Sequence, residues 1–229
     1  MLFRSLRIDE VKNLVTARNI TADLQGDYPW TEANPLLLTN VKVEALGGKI
    51  TMQQLRMPQH DPALLRVDNI SSSELISAVN PKQFAMSGPV SGALPFWLDN
   101  EKWIIKDGWL TNPGPMTLRI DQDTADAIVK DNMVAGAAIN WLRYMEISQS
   151  WTKLNVDNLG VLTMQAAIKG TSRVEGKSSF VNLNYTHEEN IFTLWRSLRF
   201  GDNLQTWFEQ HAAIPLLRGS TGKESEEQQ

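Results

Sequence analysis

Residues 41–53, VKVEALGGKITMQ, decide how the rest of the chain is read. Val41, Val43 and Ala45 alternate with Lys42 and Glu44, and after Gly47-Gly48, Ile50 and Met52 alternate with Thr51 and Gln53. Alternation with period two is the pattern of a strand with one face out of water. A Gly-Gly pair between two such runs can supply both positive-φ positions of a tight hairpin. Counting outward from that turn predicts Ala45 opposite Ile50 and Val43 opposite Met52. The four apolar side chains then share one face, and Lys42, Glu44, Thr51 and Gln53 share the other. After Gln53 the apolar phase moves to Leu55 and Met57, which predicts a bulge or the end of the pairing.

The same pattern recurs downstream. Leu94 to Trp109 reads as a second hairpin turning at Asp99-Asn100, with Phe96 opposite Trp103 and Leu94 opposite Ile105. Pro89 and Pro95 predict that this strand lies at an edge or is bent, because proline gives the ladder no NH. Asn112-Pro113-Gly114-Pro115 reads as a turn, followed by a half-buried strand through Met116, Leu118 and Ile120. Leu162, Met164, Ala166 and Ile168 form a further stripe, and Val181, Leu183 and Tyr185 another after the Gly176–Ser179 loop. Helices are few. Ser71 to Val79 carries a serine cap and Glu74 in its first turn. Asp123 to Trp141 reads as two helices around Gly136, and Glu189 to Ala212 as a helical region broken at Gly201-Asp202-Asn203. The expected fold is mainly β with a few helices: a long antiparallel meander, with short helices at one side and at the C-terminal end covering a sheet edge.

Composition agrees and narrows the function. The 229 residues are 42% hydrophobic, enough for a substantial core. The net charge of −4 gives no basic footprint, which argues against nucleic acid as a partner. The absence of cysteine removes disulfides, thiolate metal sites and cysteine nucleophiles together. The sequence contains no apolar run of ~20 residues and no signal-type apolar segment near Met1. Ile8 to Val15 already reads like the interior of a strand-rich region, so residues 1–35 are expected to be the strand region of a longer protein. Residues 36–215 then form the main β-rich domain, and residues 216–229, ending in KESEEQQ, a loose polar tail.

Catalytic chemistry finds little purchase. His60, His187 and His211 lack metal-binding spacing, so neither a metal nor another cofactor is expected. Ser91 lies in Gly88-Pro89-Val90-Ser91-Gly92, not in the order that lifts a nucleophile onto a strand-to-helix turn, and is read as a strand serine. Asp121, Asp123 and Asp126 are explained first as helix caps, although they also carry a third-ranked reading, an enzyme or carbohydrate-binding domain. Of the eight tryptophans, Trp97, Trp103 and Trp109 sit in or beside the second hairpin, and Trp195 and Trp207 in the last helical region. Core packing accounts for them before acyl-chain contact does. No catalytic residue is assigned and the chain is read as a non-enzyme.

From Ile76 to Ile120 the sequence resembles a known family. A short helix, then Gly88-Pro89-Val90-Ser91-Gly92-Ala93-Leu94-Pro95-Phe96, then Asp107-Gly108-Trp109-Leu110, then Pro113-Gly114, is similar to the C-terminal region of the YdbH-like, AsmA-related proteins of the enterobacterial envelope. Leu142-Arg143-Tyr144, the Gly160–Gly170 strand, Val181–Asn184, Glu189-Asn190 and Leu194–Leu198 extend the likeness over roughly residues 36–215. The resemblance implies a periplasmic role in moving phospholipid between inner and outer membranes, redundantly with TamB and YhdP. It implies a curved sheet open as an apolar groove, folded like a taco. The full-length protein would be anchored in the inner membrane, with its C-terminal end near the outer membrane and completed there by a small YnbE-like lipoprotein through strand addition. The physical logic is that exposing an acyl chain to water costs about 0.8 kcal/mol per CH₂, which a continuous apolar floor avoids. Candidate floor residues are Val43, Ala45, Ile50, Met52, Leu94, Phe96, Trp103, Ile105, Leu118, Leu162, Met164 and Ile168. Phospholipid acyl chains are the expected ligand, and a docking module that recruits its lipoprotein by β-augmentation is the alternative.

Overall fold

The computed structural model describes residues 3–12, 15–79, 84–121, 143–174 and 177–193. Its strands are β1 (Phe3–Lys12), β2 (Thr16–Gln25), β3 (Leu36–Ala45), β4 (Gly48–Met57), β5 (Ala63–Ser71), β6 (Phe84–Ser87), β7 (Pro89–Phe96), β8 (Trp103–Thr111), β9 (Met116–Ile120), β10 (Tyr144–Asp157), β11 (Val161–Val174) and β12 (Lys177–Asn190). One helix, α1 (Ser72–Val79), interrupts them between β5 and β6. All twelve strands join one open antiparallel sheet with the path β1-β2-β3-β4-β5-β7-β8-β10-β11-β12. The two strands off that path complete their neighbours. β6 pairs β9, β9 pairs β10, and Gly88 alone separates β6 from β7. The result is a meander in sequence order, as the alternation implied.

The first hairpin keeps its faces but not its expected register. Val43 stands opposite Ile50, Val41 opposite Met52 and Ala45 opposite Gly48. The turn is therefore Leu46-Gly47, both at positive φ (51° and 69°), and Gly48 already belongs to β4. Gly48 has a different reason to be glycine: a Cβ there would collide with the Asp68 carbonyl oxygen of β5. The displacement is an even number of residues, so every side chain stays on the face expected of it. The phase change after Gln53 is a paired irregularity, not the end of the ladder. The register holds from Leu36↔Met57 to Ala45↔Gly48 while skipping Asn40 opposite Gln53, and Asn40 has φ 55°.

Asn40 is one of several such positions. Asn19, Asn69 and Asp107 also have positive φ (50°, 53° and 57°), and each lies at a register shift between neighbouring strands. Each occupies the same short pattern, an apolar or small residue, any residue, Asn or Asp, then an apolar or small residue: Ala17–Ile20, Leu38–Val41, Val67–Ile70 and Ile105–Gly108. Asn and Asp tolerate the left-handed conformation best among residues with a Cβ. One such residue makes the buried face recur after three positions instead of two, and a bulge of this kind bends the strand and raises its twist. A neighbouring strand stabilises each site. Asn19 donates to Glu44 Oε2 (2.7 Å), Asn40 donates to Asp23 Oδ2 (3.0 Å), the Asn69 NH donates to Ser91 Oγ (2.9 Å) and the Asp107 NH donates to Asn155 Oδ1 (2.7 Å). Ser91 is thus a strand serine with a structural bond.

The second hairpin is also offset from its expected register. Phe96 pairs Ile105, and Leu94 faces Leu65 of β5. The strand carrying Pro89 and Pro95 is not an edge, because β5 and β8 flank it. It is bent instead: Pro95 falls inside the register slip between Ala93 and Phe96, and Pro89 follows Gly88 at φ 115°. Asn112–Pro115 does not reverse the chain. β8 and β9 both run antiparallel to β10, at Thr111↔Trp151 and Met116↔Ile147, so the segment is a bulge within one long strand. Where the prolines offer no NH, the Asn112 side chain substitutes. Its Oδ1 accepts from the Ser150 NH and its Nδ2 donates to the Gly114 carbonyl (2.7 Å).

Helix α1 begins as the sequence indicated. Ser71 Oγ accepts from the Glu74 NH (3.4 Å), and Ser72, fully buried, donates through both NH and Oγ to the Gly88 carbonyl (3.0 and 2.9 Å). The region from Glu189 starts differently. Glu189 and Asn190 finish β12, and helical backbone begins at Ile191, capped by Asn190 Oδ1 accepting from the Thr193 NH (3.0 Å). The helices expected over 123–141 and from 194 onward, His211, Trp195, Trp207, Asp123, Asp126 and the tail lie outside the described residues.

Candidate functional site

Residues paired across antiparallel strands put their side chains on the same face. Following the pairs from strand to strand therefore traces rows across the whole sheet. One row runs Val43, Ile50, Val67, Gly92, Leu110, Thr152 and Ala166 before reaching Tyr185. The next residue over gives Lys42, Thr51, Arg66, Ala93, Trp109, Lys153, Gln165 and Thr186. The first row is apolar, Thr152 excepted, until it reaches Tyr185, and the second is mainly polar. A third row, on the apolar face, joins Ala63, Phe96, Ile105, Val156 and Leu162.

This tracing locates the sequence candidates. Ala45 pairs Ala17, Met52 pairs Leu65, Leu94 pairs Leu65, Leu118 pairs Met145, Met164 pairs Leu154 and Ile168 pairs Leu183. With Val43, Ile50, Phe96, Ile105 and Leu162 they share one face. Trp103 is the exception. The β8/β10 register slips beyond Ile105, so Trp103 stands opposite Asp157 with the Lys102 ammonium 5.2 Å from its ring centre. Two buried clusters anchor the face. Met52, Leu55 and Ala63 gather Leu38, Val41, Met57, Leu65 and Phe96, while Met116, Met145, Ile147 and Val181 gather Met86, Leu118, Ile168 and Leu183. Sequence reading missed the β10 contribution of Met145, Ile147, Leu154 and Val156. Alternation within 144–156 was present, but the bulge between Ile147 and Gln149 splits it into two short runs.

The opposite face is built from polar and charged pairs. Glu10, Arg18, Glu44, Lys49 and Asp68 stand in one cross-strand row of alternating sign. Hydrogen bonds from Lys12 and Arg18 (both 3.0 Å) hold the Glu10 carboxyl below its usual range, and Lys153 (2.9 Å) does the same for Asp107. Trp109 and Trp151 stack on this face (5.2 Å, 11°), away from the apolar rows. A concavity of about 960 Å³ at the Gly47 end is lined by charged side chains, Arg18, Glu44, Lys49, Asp68 and Glu74, together with Val15, Ala45 and Leu46.

At the other end of the strands the loops are laced together. Glu32 accepts from His60 (2.6 Å) and Arg56 (2.9 Å), which hold its carboxyl below the usual range. Gln59 donates to the Phe96 carbonyl and accepts from the Leu98 NH, the Asn158 NH donates to the Lys102 carbonyl, and Asn190 donates to the Leu159 carbonyl. The apolar face also reaches the β1 edge, where Leu6 (50% exposed), Ile8 and Val11 are uncovered.

A continuous sheet with one apolar face, one polar face and two edge strands that are unpaired among the described residues defines an open β-trough. The sequence comparisons give that trough a family: residues 3–213 match the YdbH-like model, described as intermembrane phospholipid transport protein YdbH, and the chain belongs to this family. It is 76% identical over 225 residues to the probable phospholipid transport protein YdbH of Escherichia coli (strain K12). The match covers 98% of this chain and 26% of the relative's length, so the chain spans about a quarter of that protein. No solved structure matches it.

Proposed function

We propose that this region is a non-catalytic segment of a phospholipid conduit, in which acyl chains lie on the apolar face while headgroups remain in water. The observation that carries the reading is the continuity of the apolar face from β1 to β11, whose rows run across the strands and therefore along the sheet. At ~4.8 Å per strand, the nine strands of the path from β1 to β11 extend that floor for roughly 40 Å. Transfer through water would cost about 0.8 kcal/mol for each exposed CH₂, so a floor that follows the chain removes most of the barrier. The related YdbH is named a phospholipid transport protein and the family model an intermembrane one, which supports a site of action in the periplasm. Inner-membrane anchoring and approach to the outer membrane would then be properties of the full-length protein.

The edge of β12, unpaired among the described residues, supports a finer proposal, that a small outer-membrane lipoprotein adds a strand there. Neighbouring residues on opposite faces provide the test of the conduit. In cells that lack TamB and YhdP, full-length protein with Ile50→Glu or Met164→Glu is expected to lose support of the outer-membrane barrier, whereas Thr51→Glu and Gln165→Glu keep it. Equal effects from the two faces would refute the conduit.

A further inference from the structure

The apolar rows end abruptly at the last strand, and only on one half of it. Nearer the Gly170 end, β12 continues the apolar face with Val181 and Leu183. Nearer the laced loops it puts Tyr185 opposite Ala166, His187 opposite Met164 and Glu189 opposite Leu162. Three polar side chains thus stand in line with three of the floor's apolar ones. Tyr185 Oη lies 3.1 Å from His187 Nδ1, and the two rings stack at 5.8 Å and 16°. With the hydroxyl donating to Nδ1, a neutral imidazole carries its proton on Nε2, and that N–H is the free donor the pair offers. Burial pushes the Tyr185 hydroxyl up from its ordinary range, which keeps it a donor at physiological pH. Glu189 follows two residues later on the same face, about 7 Å along the strand. Its Oε1 accepts from the Asn190 NH (3.1 Å), and Glu188 belongs to the other face.

We propose that Tyr185, His187 and Glu189 form a headgroup station for a zwitterionic aminophospholipid. The Tyr185–His187 pair would receive the phosphodiester and Glu189 the ammonium, while the acyl chains lie on Leu162, Met164 and Leu154. The inference rests on the conduit reading. A phosphate oxygen suits neutral hydrogen-bond donors, an ammonium suits a carboxylate, and a glycerol headgroup offers Glu189 only neutral hydroxyl donors, a weaker contact than an ammonium makes. The competing account is that inward-pointing polar residues guard a free strand edge against unwanted pairing.

Headgroup-resolved photocrosslinking separates these. A photoreactive residue replaces Met164, or, far from the station, Ile50, in the full-length protein in cells, and mass spectrometry identifies the captured lipid. The ethanolamine-to-glycerol ratio at position 164 is expected to exceed that at position 50 by about fivefold, the scale of one charge-assisted contact. Glu189→Gln should return it to the position-50 value with total capture unchanged. Equal ratios at the two positions, or a ratio indifferent to Glu189→Gln, would discard the station and leave the conduit standing. Absence of lipid at both positions would instead remove the conduit, and the station with it.

Discussion

Strands β1 to β5 are nine or ten residues long, and each shifts its apolar phase once. β11 and β12 are fourteen residues long and keep a single phase throughout. The first region bends at Asn19, Asn40 and Asn69; the last is regular and wide. Both regions bury a core, Met145 and Ile147 at 0% and 4% exposed in the wide one and Met52 and Leu55 at 6% and 7% in the narrow one, and only at the β1 edge is the same face open, with Leu6 and Val11 at 50% and 44%. α1 and β6 sit where the sheet widens, packed against each other beyond the end of β5. One continuous sheet can therefore be firm at one end and uncovered at the other, because β1 lies at its edge with a neighbour on one side only among the described residues.

The contrast can be tested by loss of packing first. Met145→Ala should cost about 3–4 kcal/mol, and Met52→Ala, in the narrow region, nearer 2 kcal/mol, measured by urea unfolding. Equal costs would mean that the two regions do not differ in packing. Next come the bends. Asn40→Val forces a β-branched residue to positive φ and should destabilise by about 1–2 kcal/mol, whereas Asn40→Gly should be nearly neutral. If Asn40→Val were as benign as glycine, the positive φ would not be what shapes β3. Asn112→Ala removes the acceptor for the Ser150 NH and should cost about 1 kcal/mol, with faster amide exchange at Ser150.

The smallest expected effect is that of acid. Glu10, Asp23 and Glu32 all lie in the narrow region, and partners hold each below its ordinary range. Those partners are Lys12 and Arg18 for Glu10, Asn40 and Ser5 for Asp23, and His60 and Arg56 for Glu32. A depressed carboxylate contributes stability above its unfolded pKa and loses it as pH falls through the folded value. Acidification below about pH 4 should therefore loosen β1–β4 before β10–β12, seen as earlier loss of native amide resonances there. Simultaneous loss would place the sensitive carboxylates elsewhere.

Much of this sheet was legible because alternation is local. The first hairpin was misregistered by an even number of residues, so its faces survived the error; in the second the offset is even at Phe96 but odd beyond the slip at Pro95, and Trp103 fell out of the apolar face. What stayed hidden depends on neighbours distant in sequence. Leucine at positive φ in the Leu46-Gly47 turn is not what turn preferences suggest, and Gly48 is small because of Asp68 in the next strand over. Asn112–Pro115 has the composition of a reversal and becomes a bulge only because Asn112 reaches Ser150 of β10. The bends themselves were readable: an Asn or Asp inside a three-residue jump of the apolar face occurs at Asn19, Asn40, Asn69 and Asp107. The polar end of the floor was also in the sequence, since Val181 and Leu183 give way to Tyr185, His187 and Glu189. Its meaning required knowing which residues of β11 stand opposite.

The most direct test pairs photoreactive probes on adjacent residues of the full-length protein in cells: Ile50 with Thr51, Leu94 with Ala93, and Met164 with Gln165. Phospholipid should be captured from Ile50, Leu94 and Met164 and not from their neighbours. Capture from both members of each pair, or from none, would contradict a lipid path along the apolar face.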